Sequence, residues 1–284
     1  MYTFILIIYF FMRILLTDLK FPEGPCFDRN GDIWLVEKEG GNLVKISNSI
    51  TQRFDVGGAP NGIAIDSQNI VWFCDSRQNN IRTFDPLSKS TTTIVDQLNG
   101  EILKMPNDLI FDRSGNLIFT CPGDSLDDNT GYICCLSADQ KLTKIHTGMY
   151  YPNGLTLSLD ETRLYVAETG THKIWQFDWN AAERKVANQT LFAETGGPVG
   201  PDGITLDEEE NLYVAVYGSG KIKTWDKSGK RLGSIDTIGQ NPTNCAIDPS
   251  GLRGLIITET EKGILLQQPL DQIHKRHNAT NTEV

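Results

Sequence analysis

Oxygen-bearing side chains follow a proline at six places in the chain, and their types would suit a hard metal ion. The six positions are Glu23, Asn61, Asn107, Asn153, Asp202 and Thr243. Two carboxylates and three amides, brought together, would form an oxygen site that favours Ca²⁺, with Mg²⁺, Mn²⁺ or Zn²⁺ as alternatives. Neither Cys nor His occurs at these positions, so a soft-ligand zinc or iron site is not predicted there.

The same prolines open six similar phrases, which indicates a repeat architecture. The phrases begin at Pro22, Pro60, Pro106, Pro152, Pro201 and Pro242, 38 to 49 residues apart. This period is typical of propeller blades. In five of the six phrases an Asp lies six residues after the proline, where it would form the turn between two strands. We predict an all-β fold, a six-bladed β-propeller with four antiparallel strands per blade.

The first strand of each blade lies innermost in a propeller, so the position after each proline should form a ring around the axis. An alternative is that Pro-Asn-Gly and Pro-Asp-Gly are only favourable turns. Glu23 fits that alternative poorly, and the ring as a whole therefore favours a metal site. Strand alternation predicts that Asp108, next to Asn107, points away from the axis and serves in a turn or as an inter-blade hydrogen-bond partner.

The two ends of the chain are expected to meet. No fourth strand is evident after the last phrase, and the segment that starts at Arg13 can supply it, which would close the ring. We predict one propeller domain over residues 12–270, an apolar extension or targeting segment at 1–11, and a polar, disordered tail at 271–284. The cytoplasm is the expected location; secretion or a periplasmic location would follow if 1–11 is a targeting segment.

The composition excludes several classes of partner. The chain has 284 residues, of which 39% are hydrophobic and 22% charged, as in ordinary soluble proteins. Its net charge of −10 argues against a nucleic-acid partner. The apolar segment is short and interrupted by Arg13, so no stable membrane insertion is expected. The six cysteines show no framework and are interpreted as thiols. The oligomeric state stays open.

Five phrases, in their order and spacing, resemble the gluconolactonase/regucalcin (senescence marker protein) family: FPEGPCFD, PNDLIFDRSGNLIFT, PNGLTLSLDETRLYVAE, GPDGITLDEEENLYVAV and NPTNCAIDPSG. The resemblance covers about residues 13–268. It implies a six-bladed propeller that hydrolyses lactones with a bound divalent metal. It also implies metal ligands at Glu23, Asn153 and Asp202 and a substrate contact at Asn107, to which Asn61 is added from the neighbouring blade.

The resemblance implies a lactonase, a carboxylic ester hydrolase, in which the cation polarises the carbonyl group and Asp202 is the general base. A small-molecule sugar lactone is the expected substrate. Two departures bear on this substrate. Met105 stands where regucalcin-like members carry an Arg that holds sugar hydroxyls, and Thr120-Cys121-Pro122 replaces the Thr-Asp-Pro of many gluconolactonase-like members.

Two other functions remain open at this stage. The phrases NGIAID and RQNNIR also look like an NHL-type repeat, which is typical of propellers that bind partners without catalysis. A metal-dependent esterase or phosphotriesterase is the second alternative, because the same metal polarises either kind of electrophile.

Overall fold

The structure is a computed structural model that describes residues 11–270. All regular elements in this range are β-strands, and no helix capable of crossing a membrane is found there. The predicted N-terminal segment, apart from Phe11, and the predicted tail lie outside the described residues.

The described range contains 26 strands, which we number in chain order. They are β1 (Arg13–Leu16), β2 (Pro22–Phe27), β3 (Ile33–Glu37), β4 (Asn42–Ser47), β5 (Ile50–Asp55), β6 (Pro60–Ile65), β7 (Val71–Asp75), β8 (Asn80–Asp85), β9 (Ser90–Val95), β10 (Gln97–Leu98), β11 (Glu101–Ile102), β12 (Leu109–Phe111), β13 (Leu117–Cys121), β14 (Gly131–Leu136), β15 (Leu142–Met149), β16 (Pro152–Leu157), β17 (Arg163–Glu168), β18 (Lys173–Asn180), β19 (Lys185–Glu194), β20 (Gly200–Leu206), β21 (Leu212–Tyr217), β22 (Lys221–Trp225), β23 (Arg231–Asp236), β24 (Pro242–Ile247), β25 (Leu255–Glu259) and β26 (Ile264–Gln268).

Six four-stranded sheets form the blades of a propeller, as the repeat predicts. Blades 1 to 5 are β2–β5, β6–β9, β12–β15, β16–β19 and β20–β23, each in sequential order. Blade 6 has the order β1-β26-β25-β24, and Arg13 of β1 lies opposite Gln267 of β26. The predicted closure by the N-terminal strand is therefore confirmed. A short hairpin of β10 and β11, between blades 2 and 3, is an addition that the repeat does not predict.

The aspartate that recurs in the repeat ties the first two strands of a blade together. In blade 2, Asp66 Oδ1 accepts hydrogen bonds from the backbone of Gln68 and Ile70, and Oδ2 accepts one from Trp72 Nε1 at 2.9 Å. The same arrangement in blade 1 joins Asp28 to Trp34 Nε1. One residue thus fixes both the turn and the large side chain of the second strand in these two blades.

The core lies between neighbouring blades. Between blades 1 and 2, Trp34, Phe54 and Phe84 form an aromatic cluster with ring centroids 5.0 to 6.4 Å apart. Contacts of this kind combine burial of large apolar surfaces with favourable ring geometry. All six cysteines lie in the described range and none forms a disulfide, in agreement with the prediction of thiols.

The innermost strands of the blades are not regular. Their pairing register shifts just after the proline, between Glu23 and Cys26 in blade 1 and between Pro60 and Ile63 in blade 2. Similar shifts occur in blades 4, 5 and 6. A bulge of this kind sets two consecutive residues against one partner, so the simple alternation of side chains is lost there.

Candidate functional site

The six inner strands close a ring around the propeller axis, because each contacts the inner strands of both neighbouring blades. Gly62 N donates to Asn107 O at 2.7 Å across one such boundary, and Thr243 Oγ1 donates to Pro22 O at 2.8 Å across another. The structure therefore brings the positions after the six prolines to one level, and all six side chains are buried. We call this set the axial ring: Glu23, Asn61, Asn107, Asn153, Asp202 and Thr243.

Two of the ring amides are oriented by hydroxyl groups of their own blades. Asn61 Nδ2 donates to Ser76 Oγ at 3.1 Å, and Asn153 Nδ2 donates to Thr169 Oγ1 at 3.3 Å. Within residues 11–270 their Oδ1 atoms accept no hydrogen bond, and the Asn107 side chain forms none. Three amide groups in the ring therefore retain oxygen atoms that are available to a ligand.

The hydroxyls that orient these amides also join the blades. Ser76 Oγ donates to Pro106 O at 2.9 Å, and Thr169 Oγ1 donates to Pro201 O at 2.7 Å. Thr243, the sixth ring residue, plays the same part with its own hydroxyl toward Pro22. Its oxygen is thus engaged in closing blade 6 against blade 1, and the ligand atoms of the ring come from the other five residues.

Glu23 and Asp202 are the carboxylates of the ring, with only 4% and 8% of their surfaces exposed. Neither forms an ion pair in the described part of the chain. Burial raises the pKa of Glu23 to about 7; Lys38 opposes this rise and Asp108 adds to it. Burial also raises the pKa of Asp202 well above its usual range, and the charge of Glu23 is the second cause of this rise. Two such carboxylates are costly to ionise without a cation.

The donor set fits a divalent cation that prefers oxygen. Among residues 11–270, no group of three or more His, Cys, Asp and Glu side chains is placed to hold a metal by itself. The axial ring differs from such a group because amide oxygens accompany its two carboxylates, as is common for Ca²⁺. Glu23, Asn153 and Asp202 would hold the ion, with Asn61 and Asn107 beside them.

Asp108 points toward the axis, so the predicted orientation of this residue is wrong. Its Oδ2 accepts a hydrogen bond of 3.3 Å from Asn244 Nδ2, although the two residues belong to blades 3 and 6, on opposite sides of the ring. The expected inter-blade hydrogen bond is present, but it crosses the axis. Alternation does not apply to Asp108, because β12 begins only at Leu109 and Asp108 precedes it.

Lys38 is a charged residue near the ring that the sequence did not single out. Its backbone N donates to Phe21 O at 3.0 Å, and its Nζ lies 5.2 Å from the centroid of the Phe21 ring. Nζ has no ion-pair partner in the described residues, and its charge lowers the pKa values of Glu23 and Asp202. In the sequence, Lys38 is marked only by its place directly after the second strand of blade 1. In the structure, the last residue of that strand, Glu37, pairs with Pro22.

Two tyrosines complete the surroundings of the ring carboxylates. Burial raises the pKa values of Tyr151 and Tyr217, and the charge of Asp202 followed by that of Glu23 adds to the rise in both. Tyr151 directly precedes the proline of blade 4, at the repeat position that Phe21 occupies in blade 1. Phe21, Tyr151, Tyr217 and Lys38 thus surround the ring carboxylates with aromatic side chains and a lysine.

The fold and the site define a six-bladed propeller with a ring of buried, oxygen-bearing side chains around its axis. Residues 21–261 match the family model described as the SMP-30/Gluconolactonase/LRE-like region, and the chain belongs to this family. The resemblance predicted from the phrases is confirmed.

The relatives of this chain include hydrolases of lactones and of a fluorophosphate. It is 26% identical to the gluconolactonase of Zymomonas mobilis over 84% of this chain and 76% of the relative. It is 28% identical to the diisopropyl-fluorophosphatase of Loligo vulgaris over 86% of this chain and 87% of the relative. The solved structure of a gluconolactonase from Xanthomonas campestris superimposes with a TM-score of 0.80 at 26% identity, over 91% of this chain and 89% of that one.

Proposed function

We propose that this protein is a metal-dependent hydrolase that opens the ring of a lactone. The observation that carries the proposal is the axial ring itself, in which two buried carboxylates accompany amides whose oxygens are available, and in residues 11–270 neither carboxylate has a cationic partner. A binding propeller has no need to bury two carboxylates together on its axis. The gluconolactonase relative supports the same reaction class.

The chemistry would divide between the cation and the chain. A bound divalent cation would supply Lewis-acid polarisation of the lactone carbonyl. Asp202 would accept a proton from the attacking water while the water oxygen bonds to the carbonyl carbon. The ring carbon–oxygen bond then breaks, and Asp202 returns the proton to the leaving alkoxide. A bound cation beside Asp202 would favour its ionised form, which is the form that acts as a base.

Asn107 and Asn61 would orient the substrate. The Asn107 side chain has no hydrogen-bond partner within residues 11–270, and Asn61 is held from behind by Ser76, so both amides are available to oxygens of a lactone. A sugar lactone is the proposed substrate class. Lys38, Tyr151 and Tyr217 would supply hydrogen-bond donors to its hydroxyl groups, because the Met105 side chain has no donor.

The first test is hydrolysis by protein stripped of metal with a chelator and then restored with Ca²⁺, Mg²⁺, Mn²⁺ or Zn²⁺. Gluconolactone, galactonolactone and δ-valerolactone serve as substrates. We expect cation-dependent turnover, and a loss of about 100-fold or more in kcat/KM in Asp202→Asn. Glu208→Gln, which removes an exposed carboxylate from a turn, is the matched control and should retain full activity.

Two outcomes would redirect the proposal. Turnover of diisopropyl fluorophosphate but of no lactone would favour a phosphotriesterase, a function that the second relative brings into consideration. Folded protein that binds a cation and hydrolyses none of these substrates would refute the enzymatic proposal in favour of a binding propeller.

A further inference from the structure

The residue that follows the axial ring in each inner strand forms a second level around the axis. Four of these six residues are glycines, and the other two carry polar side chains. The second level consists of Gly24, Gly62, Asp108, Gly154, Gly203 and Asn244. Since these residues come one position later in each strand, they lie on the side of the ring away from Phe21 and Tyr151.

The two polar residues are opposite each other and meet on the axis. Asn244 Nδ2 donates to Asp108 Oδ2 at 3.3 Å, and both side chains are buried. The other oxygens are also satisfied locally, because Leu109 N donates to Asp108 Oδ1 at 2.9 Å and Cys245 N donates to Asn244 Oδ1 at 2.7 Å. We call Asp108 and Asn244 the cross-axis pair.

Gly62 and Gly203 lack the Cβ atoms that would overlap the side chains of this pair. A Cβ atom on Gly62 would lie 2.2 Å from Asp108 Oδ1, and one on Gly203 would lie 2.0 Å from Asn244 Oδ1. The pair therefore occupies the axis at this level, one residue beyond the axial ring.

Asp108 has no cationic partner for its carboxylate. In the described range its hydrogen bonds come from a backbone N–H and an amide, and it forms no ion pair. It directly follows Asn107, and its charge acts on both Glu23 and Asp202. Asp108 is thus a third buried carboxylate near the axis, one residue beyond the axial ring.

We propose that the cross-axis pair is a positioning device of the cation site: it closes the channel behind the axial ring and fixes the Asp108 carboxylate as a third negative charge that attracts the cation without binding it. This inference rests on the cation site proposed above. In this proposal Asp108 acts through its negative charge, and Asn244 acts through the hydrogen bond that holds Asp108 in place.

The experiment compares Ca²⁺ affinity, measured by calorimetry on chelator-stripped protein, in wild type, Asp108→Asn, Asn244→Gly and the swap Asp108→Asn/Asn244→Asp. Asp108→Asn keeps the size and removes the charge, and we expect its Kd to rise by about tenfold to 100-fold, the scale of one unit charge at the dielectric of a protein. The swap returns the charge and a donor–acceptor pair to the channel from the opposite blade, and its Kd should come within about threefold of wild type. The control Glu208→Gln should bind like wild type.

A second measurement separates a positioning charge from a direct ligand. Tb³⁺ replaces Ca²⁺, and its luminescence decay in H₂O and D₂O reports the number of bound waters. We expect this number to be unchanged in Asp108→Asn and larger in Glu23→Gln, which loses a proposed ligand. An increase in Asp108→Asn, or a swap that fails to restore affinity, would overturn the inference, as would an unchanged Kd in Asp108→Asn.

Thermal unfolding of the cation-free proteins keeps the structural half of the inference testable. Asn244→Gly should unfold at a lower temperature than wild type, because it leaves a cavity and a carboxylate without its amide partner, and the swap should unfold at a higher temperature than Asn244→Gly. A midpoint unchanged in Asn244→Gly would refute the structural role of the cross-axis pair. Wild-type protein that binds no Ca²⁺ or Tb³⁺ would refute the cation site and the charge role together, whereas metal binding without lactone turnover would refute only the proposed reaction.

Discussion

Raising the pH of the cation-free protein ionises Glu23 inside the axial ring, and the structure gives the size of the resulting loss of stability. The pKa of Glu23 is raised from 4.5 to about 7, mainly by burial. A group whose pKa is higher in the folded state contributes stability that is complete below its unfolded pKa and is lost as the pH rises through its folded pKa. A rise from 4.5 to about 7 corresponds to roughly 3 kcal/mol of unfolding free energy, lost between pH 4.5 and about pH 8.

The assay compares urea unfolding of chelator-treated wild type and Glu23→Gln from pH 4.5 to 8. Glutamine stays neutral, so the variant should gain on wild type by roughly 3 kcal/mol across this range, or several degrees in Tm. Asp108, whose pKa burial raises to about 6, is present in both proteins, so its titration is common to the two curves. A stability difference between the two proteins that does not change with pH would refute the reasoning.

Three further results follow from the same geometry. Gly62→Ala should lose about 3 kcal/mol in urea unfolding, because its Cβ would lie 2.2 Å from Asp108 Oδ1 and 2.6 Å from Asp108 Cα. The control Gly57→Ala has open space around the new Cβ but a φ of +64°, and it should lose only about 1 kcal/mol of unfolding free energy. Equal losses in the two variants would contradict the steric overlap with Asp108. Ca²⁺ affinity by calorimetry should rise about tenfold from pH 6 to 8, because the cation displaces the proton of Glu23, and a flat profile would count against its role as a ligand. Lys38→Met should move the midpoint of that profile to higher pH, since the charge of Lys38 lowers the pKa of Glu23, and an unmoved midpoint would separate Lys38 from the site.

The fold could be predicted from the sequence because each blade repeats the same local solution. Asp66 and Trp72 show why, since one hydrogen bond links the turn to the second strand, and Asp28 and Trp34 form the same bond in blade 1. The closing strand at Arg13 followed from counting strands and from the cost of an open sheet edge. The hairpin at 97–102 could not be predicted in this way, because it belongs to no repeat.

The axial ring was predictable for a related reason, since rotation of the blades about the axis brings equal repeat positions together. The orientation of its amides was not. Asn61 and Asn153 are turned by hydroxyls of Ser76 and Thr169, which follow the second strands and have no fixed spacing from the proline. The sequence cannot show which atom of an amide faces the axis, because this depends on contacts made after the sheet has formed.

Asp108 was misplaced for a different reason, although the sequence held the information needed. Alternation assumes a regular strand, whereas Asp108 precedes β12, which begins at Leu109, and the inner strands of the other five blades shift register at the same level. At that level the blades are too close for six side chains: a Cβ on Gly154 would lie 2.6 Å from Asp202 O. Where four positions must be glycine, the two that are not must share the remaining space, and residues three blades apart can share it only on the axis. An aspartate and an asparagine at those two positions therefore predict the contact between Asp108 and Asn244, since the amide supplies the donor that the carboxylate lacks.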